Sequence, residues 1–164
     1  MRRDQREREF TEFFAASAPA LRRTAYVVVR DWHVAEDLTQ QALAKLYVAW
    51  PRVREETRMA YARRVVVNEC LSHLRRHRPE SPTDTVPDRA VHDPETHHGL
   101  GAALALLPPR QRAIVALRFL DDLSVQETAD LLNVTAGTVK SQTSAALAAL
   151  RSHAHLVPEG NHHD

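Results

Sequence analysis

SVQETADLLNVTAGTVKSQTSAAL, residues 124–147, decides the fold. Ser124 and Glu127 stand three apart ahead of an apolar run. At that spacing a serine hydroxyl and a glutamate carboxylate each satisfy the other's free backbone N–H, so a helix is expected to start there and end near Leu132. Asn133 follows at a turn position that wants a left-handed residue, a conformation asparagine tolerates better than most side chains. Thr135 caps the next helix, whose inward face is Val139, Thr143, Ala146 and Leu150. With the small Ala129 packed in the angle between them, the two helices fit a helix-turn-helix. Its second helix has Gly137, Ser141, Ser144, Ala145 and Ala148 facing outward, and residues 135–147 hold only one charged residue, Lys140. Gln142, nearer the edge, is the side chain able to pair bidentately with adenine. Such a helix can approach a groove closely but brings little affinity for phosphates, which must come from elsewhere in the chain.

Upstream, GLGAALALLPPRQRAIVALRFL, residues 99–120, reads as two short apolar helices separated by Pro108 and Pro109. Before it, residues 79–98 carry four prolines, five acids and one arginine without apolar periodicity. They are expected to be a linker able to stretch to about 65 Å at roughly 3.3 Å per residue. This divides the chain into a first module of residues 1–78, a second of 99–151, and a tail of 152–164. The charge is divided too. Residues 1–78 contain 16 Lys and Arg against 10 Asp and Glu, whereas residues 79–164 contain 6 against 11, so a net charge of +1 conceals a basic half and an acidic half. The basic half suits a polyanion.

In that half, Phe10, Phe13 and Phe14 lie at helical spacing, and Pro19 is expected to open a second helix through LRRTAYVVV. Leu38, Ala42, Leu46 and Trp50 recur every four residues, predicting a third helix ended by Pro51. The acidic pair Glu36 and Asp37, taken alone, reads as the favourable negative first turn of that helix. A fourth helix is expected from about Thr57 to Arg76. Ala62, Val66, Val67, Cys70 and Leu74 share its core face, and Tyr61, Arg64, Asn68, Ser72 and Arg75 share a polar one. Five arginines against one glutamate between Tyr61 and Arg78 make that polar face a surface for phosphates.

Several classes are set aside. No apolar run approaches the length of a membrane span, and MRRDQRERE lacks the apolar stretch of a secretion signal, so a cytoplasmic protein is expected. Cys70, the single cysteine, falls on the core face and reads as a buried small hydrophobe. The pairs His97/His98 and His162/His163 have no helical ligand spacing and no cysteine nearby, so no metal site is expected. No catalytic constellation, phosphate loop or cofactor motif is present, and the chain is expected not to be an enzyme.

The succession AEDLTQQALAKLYVAWPRV, AYARRVVVNECLSHLRRHR, a linker, and LPPRQRAIVALRFLDDLSVQETADLLNVTAGTVKSQTS resembles the extracytoplasmic-function (ECF) sigma factors of bacterial RNA polymerase. It is most similar to the actinobacterial SigE-like subgroup, which shares AWPRV, the VNE-containing helix and GTVKSQTS. The resemblance runs from about residue 10 to 151. It implies an all-α protein of two small helical domains, sigma region 2 and the helix-turn-helix of sigma region 4, joined by a flexible linker. Such proteins are not enzymes. They direct core polymerase to promoters by recognising the minus-10 and minus-35 elements.

Carried over by position, the resemblance puts Glu36, Asp37, Leu38, Gln40 and Gln41 on the surface that docks on the beta-prime clamp helices, replacing the first-turn reading. It puts Tyr61, Arg64, Asn68, Arg75, Arg76 and Arg78 on the minus-10 helix. The loop PRVREETR, with Arg52 and Arg54, falls where the family captures a flipped-out base. In region 4, Arg112 and Arg118 would grip phosphates, and Thr138, Lys140, Ser141, Gln142 and Ala145 would take minus-35 reading positions. The helices around Ile114, Val115 and Leu117 would pack internally or on the beta flap. An anti-sigma factor is a further implied partner. Many members have arginines at the positions of Gln142 and Ala145, so the resemblance implies weak, polymerase-dependent minus-35 recognition here. Two rival readings use the same residues: a stand-alone helix-turn-helix regulator, and a degenerate sigma-like protein that binds polymerase or an anti-sigma factor without reading promoters.

Overall fold

A helix that begins in charge and ends in valines organises the first half. In the computed structural model, which describes residues 2–78 and 98–156, α1 spans Arg3–Val29. Pro19 lies inside it, so the expected break is absent and the first two predicted helices are one. The reason is position: Ala15, whose carbonyl loses its partner at residue 19, is exposed, as is Pro19 itself. The freed carbonyl therefore faces solvent, where the missing bond costs least. α1 ends at Arg30, held left-handed at φ 62° with its N–H donating to the carbonyl oxygen of Tyr26 at 2.8 Å.

Asp31 caps α2 (Trp32–Ala49) by accepting from the N–H of Val34 at 3.1 Å. Glu36 and Asp37 therefore stand beyond the first turn, and the macrodipole reading of that pair fails on geometry. Leu38, Ala42, Leu46 and Trp50 are all buried, as their spacing requires. Pro51 sits in a 3₁₀ turn, Trp50–Arg52, and a second 3₁₀ turn, Glu55–Thr57, leads into α3 (Arg58–Arg76). Trp50 is fully buried between the rings of Phe10 and Phe13, whose centroids lie 5.3 and 5.4 Å away. The Arg58 guanidinium covers its ring at 3.9 Å and forms an ion pair with Glu9 at 3.3 Å, which ties the start of α3 to α1. Burial of a tryptophan on this scale contributes about 2–3 kcal/mol.

The second half begins with α4 (His98–Leu106) and α5 (Pro109–Val115). Pro109 occupies the first turn of α5, where its missing N–H is harmless. α5 widens into a π-helical segment, Ala116–Leu120, capped by Asp121 and followed by Asp122 at φ 60°. α6 (Val125–Leu132) carries the complete capping box: the Ser124 N–H donates to Glu127 Oε1 and the Glu127 N–H to Ser124 Oγ, both at 3.0 Å. The Ser124 N–H, with the Ser124 hydroxyl beside it, holds the Glu127 carboxyl below its ordinary range. Asn133 is left-handed, at φ 55° and ψ 48°. Thr135 caps α7 (Ala136–Leu156) by accepting from the N–H of Thr138 at 3.1 Å. The expected boundary at residue 152 falls inside α7.

The halves are not separate bodies. Leu21, Val28, Leu46 and Val66 share one buried cluster with Ile114, Leu117, Leu131 and Val139. A smaller cluster joins Leu104, Leu107 and Ala146, with Val27 of α1 packed against it. The expected linker lies outside the described residues except for His98, the first residue of α4. Among the described residues there is no strand, and no helix is long and apolar enough to cross a membrane.

Candidate nucleic-acid interface

α3 separates its faces as the helical period demands. Ala62, Val66, Val67 and Cys70 are buried, while Tyr61, Arg64, Asn68, Arg75, Arg76 and Arg78 are exposed and Ser72 is half-buried between them. The Arg75 guanidinium donates to Ser72 Oγ at 3.0 Å, which orients it along the stripe. At the N-terminal end of α3, Arg52, Val53, Arg54, Thr57 and Tyr61 line a cleft of about 420 Å³ with Ala49. Its two arginines and one exposed aromatic ring give it cations for a phosphate and a face for stacking. The cleft and the stripe are continuous through Tyr61.

Cys70 has no part in this surface. It is fully buried, and that burial pushes its thiol up to about 12, so it stays protonated and unreactive. His97, His162 and His163 lie outside the described residues. Among the described residues no group of three or more His, Cys, Asp or Glu side chains could hold a metal ion.

On α2, Asp37, Gln40 and Gln41 are exposed, and Glu36 is half-buried in an ion pair with Arg22 at 3.1 Å. Leu38 is 2% exposed and belongs to the core, so the expectation that it is part of a docking surface is corrected: the period that exposes Asp37 and Gln41 turns Leu38 inward.

On α7, Gly137, Lys140, Ser141, Ser144, Ala145 and Ala148 are exposed, giving a smooth face of small side chains, while Thr138 is half-buried with its hydroxyl 2.9 Å from that of Thr135. Gln142 lies at the edge of that face, and its Oε1 accepts from Gln111 Nε2 of α5 at 2.9 Å. No sequence signal links these glutamines across 31 positions.

Arg112 departs most from expectation. It is 8% exposed; its Nε donates to the carbonyl oxygen of Val28 at 2.8 Å and its Nη1 to that of Leu107 at 2.6 Å. Both carbonyls stand at helix C-termini, those of α1 and α4, where carbonyls lack intrahelical partners and a cation is favoured. Burial, with Arg30 nearby, lowers its guanidinium to about 10, still protonated at neutral pH. In this arrangement Arg112 fastens two halves together and is not a free phosphate ligand. Arg118 is half-buried and donates to the carbonyl oxygen of Leu123, so it too is committed internally.

Three further contacts, absent from any sequence pattern, join the halves. The Arg64 guanidinium donates to the carbonyl oxygen of Asp130 at 3.2 Å. Asp121 accepts from the Thr24 hydroxyl at 2.8 Å and lies 3.8 Å from Arg63 Nε, with its side chain 5% exposed. Burial pushes the Asp121 carboxyl above its ordinary range, opposed by the Thr24 bond and the charges of Arg63 and Arg23. A carboxyl raised on folding contributes stability that is complete below its unfolded pKa and lost as pH rises through the folded value. Asp121→Asn keeps an acceptor for Thr24 without the buried charge. It is expected to melt at or above the wild-type temperature at neutral pH, with a flatter dependence of melting temperature on pH above about pH 4. Asp121→Ala, which orphans the hydroxyl, should lose about 1 kcal/mol. Thermal melts across pH check both.

Comparison with known proteins covers both halves. The family model "Sigma-70 region 2" matches residues 13–80 and "Sigma-70, region 4" matches residues 97–150. The RNA polymerase sigma-E factor of Streptomyces antibioticus is 40% identical over 149 residues, 87% of this chain and 83% of that protein. The ECF RNA polymerase sigma factor SigM of Mycobacterium tuberculosis is 33% identical over 86% of this chain and 74% of its own. Among solved structures, the sigma factor RpoE in complex with the anti-sigma factor NepR from Bartonella quintana has the same fold. Its TM-score is 0.73 at 23% identity, covering 90% of this chain and 98% of that one. CnrH in complex with the cytosolic domain of CnrY gives a TM-score of 0.66 at 19% identity, covering 92% and 90%.

Proposed function

This chain belongs to the ECF sigma factors of RNA polymerase, and from that membership we propose that it binds core polymerase and directs promoter-specific initiation through the minus-10 and minus-35 elements. The observation that carries the proposal is the pairing, in one chain, of a basic exposed stripe on α3 with a capped helix-turn-helix whose reading face is open. A stand-alone regulator would have no use for the first. We divide the work between residues 1–78, which take the minus-10 element and the beta-prime clamp helices, and residues 99–151, which take the minus-35 element.

In the first half, Glu36, Asp37, Gln40 and Gln41 form the polar edge offered to polymerase. Arg64, Asn68, Arg75, Arg76 and Arg78 follow the single strand, and the cleft between Arg54 and Tyr61 receives an extruded base, which needs hydrogen-bonding edges and a stacking face. In the second half, Thr138, Lys140, Ser141 and Gln142 face the major groove, and the small side chains around them permit close approach. The polymerase supplies the proximity that one lysine cannot. A protein of the anti-sigma class is the further partner in this proposal, NepR being the anti-sigma factor bound to the Bartonella sigma factor of the same fold.

Transcription in vitro with core polymerase and genomic fragments tests this reading. New start sites that depend on the chain are expected. A chain that binds core but creates none would be the degenerate sigma-like protein instead.

A further inference from the structure

We propose that Gln111 is a specificity-determining residue: by holding the Gln142 amide in one orientation, it makes Gln142 a hydrogen-bond donor toward the minus-35 element. This rests on the sigma-factor reading of α7. Gln142 lies about 60° around the helix from the edge of the open face at Ala145, taking 100° per residue, so its long side chain reaches the groove from the side facing α5. On that side Gln111 Nε2 donates to Gln142 Oε1 at 2.9 Å, and both side chains are half-buried.

A free glutamine amide is symmetric in its options. Its oxygen can accept from the adenine N6 amine while its nitrogen donates to N7, and that bidentate pairing selects adenine. With the oxygen turned to Gln111, the NH2 group is what projects. It finds acceptors at N7 and O6 of guanine and O4 of thymine, finds at adenine only N7 beside the N6 donor it can no longer satisfy, and meets only a donor at N4 of cytosine. The preference therefore moves from adenine toward acceptor edges. Gln111 touches no base in this scheme; it sets which end of Gln142 does.

Two substitutions separate orientation from packing. Gln111→Glu replaces the donor by a carboxylate that only accepts, so the Gln142 NH2 turns to it and the oxygen faces the groove. Gln111→Leu keeps the bulk and removes the bond. The experiment is transcription with core polymerase and the full chain on a promoter library randomised across the minus-35 element, read as base frequencies in the transcripts. Gln142→Ala identifies the base pair concerned, as the one whose preference it erases. At that pair the wild type is expected to prefer guanine or thymine, on the order of tenfold over cytosine. Gln111→Glu should move the preference to adenine or cytosine, and Gln111→Leu should raise adenine. A purely structural Gln111 would lower total transcription and leave the base ratios alone, which overturns the proposal, as does a Gln142→Ala variant that erases no preference. Absence of any chain-dependent transcription by the wild type would instead remove the sigma reading on which the proposal stands.

Discussion

Arg112→Met is expected to melt about 10 °C below the wild type, a loss of about 2–4 kcal/mol. The reasoning starts from the carbonyl oxygens of Val28 and Leu107, both near helix C-termini and both bound to the one guanidinium. Each carbonyl left dry and unpaired costs about 1–3 kcal/mol. Relief from burying a charge offsets part of this, since a guanidinium pushed down to about 10 by burial bears a desolvation penalty of its own. Methionine approximates the bulk and flexibility, so the loss reports the bonds more than a cavity. Because Val28 belongs to α1 and Arg112 to α5, the variant should also loosen one half against the other. A larger radius of gyration in solution scattering, with helix content unchanged, is the companion measurement. Arg112→Lys keeps a charge but not the planar fork that reaches two carbonyls at once, and should recover only part of the loss. An unchanged melting temperature in both variants would mean that water satisfies these carbonyls.

These contacts have a consequence for function. Promoter elements roughly two helical turns apart are separated by about 70 Å, at about 34–36 Å per turn. On the proposed assignment of α3 to the minus-10 element and α7 to the minus-35 element, helices that share one buried cluster, as these do through Val66 and Val139, cannot sit on both elements at once. Arg112 to Val28, Asp121 to Thr24 and Arg64 to Asp130 must therefore part when both are read. The last of these takes a guanidinium from the α3 stripe, so on that assignment opening would also free a cation for DNA.

The features legible in the sequence are those written locally. The capping box at Ser124 and Glu127, the left-handed Asn133 and the Thr135 cap each involve groups within a few residues, and all stand as their spacing implies. The α3 faces were equally legible, since one 3.6-residue period sorts Val66 inward and Arg75 outward. Expectations failed where tertiary context overrode a local rule. Pro19 normally interrupts a helix, but here its lost bond faces solvent. Leu38 matched a docking motif by position while its period placed it in the core. Arg112 took a phosphate-gripping place by its position in the family pattern, which does not show that two helix ends converge on this side chain. Gln111, Thr24 and Asp121 carried no signal, since their partners lie 31 and 97 positions away.

The division of electrostatic labour gives the second large effect. Arg75 and Arg76 are both exposed in the last turn of α3, beside Arg78 and clear of any acidic partner in the ion pairs of the described residues. Each cation that neutralises a phosphate of single-stranded DNA releases counterions worth about 0.7 in the slope of log K against log salt. The double substitution Arg75→Ala and Arg76→Ala should therefore reduce the slope for promoter opening by about 1.4, and open complexes on the order of tenfold at physiological salt. The fold should survive. Arginine near a helix C-terminus favours the dipole by about 0.3–1 kcal/mol, but alanine is the stronger helix former, so the melting temperature should shift by a few degrees at most. Lys140→Ala removes the one cation among the proposed reading positions of α7, and polymerase tethering covers much of that loss, so its effect should be the smaller one. Open-complex yields over a salt series for the three proteins decide the ranking. A greater loss at Lys140 would place the affinity in the helix-turn-helix and not in the basic half.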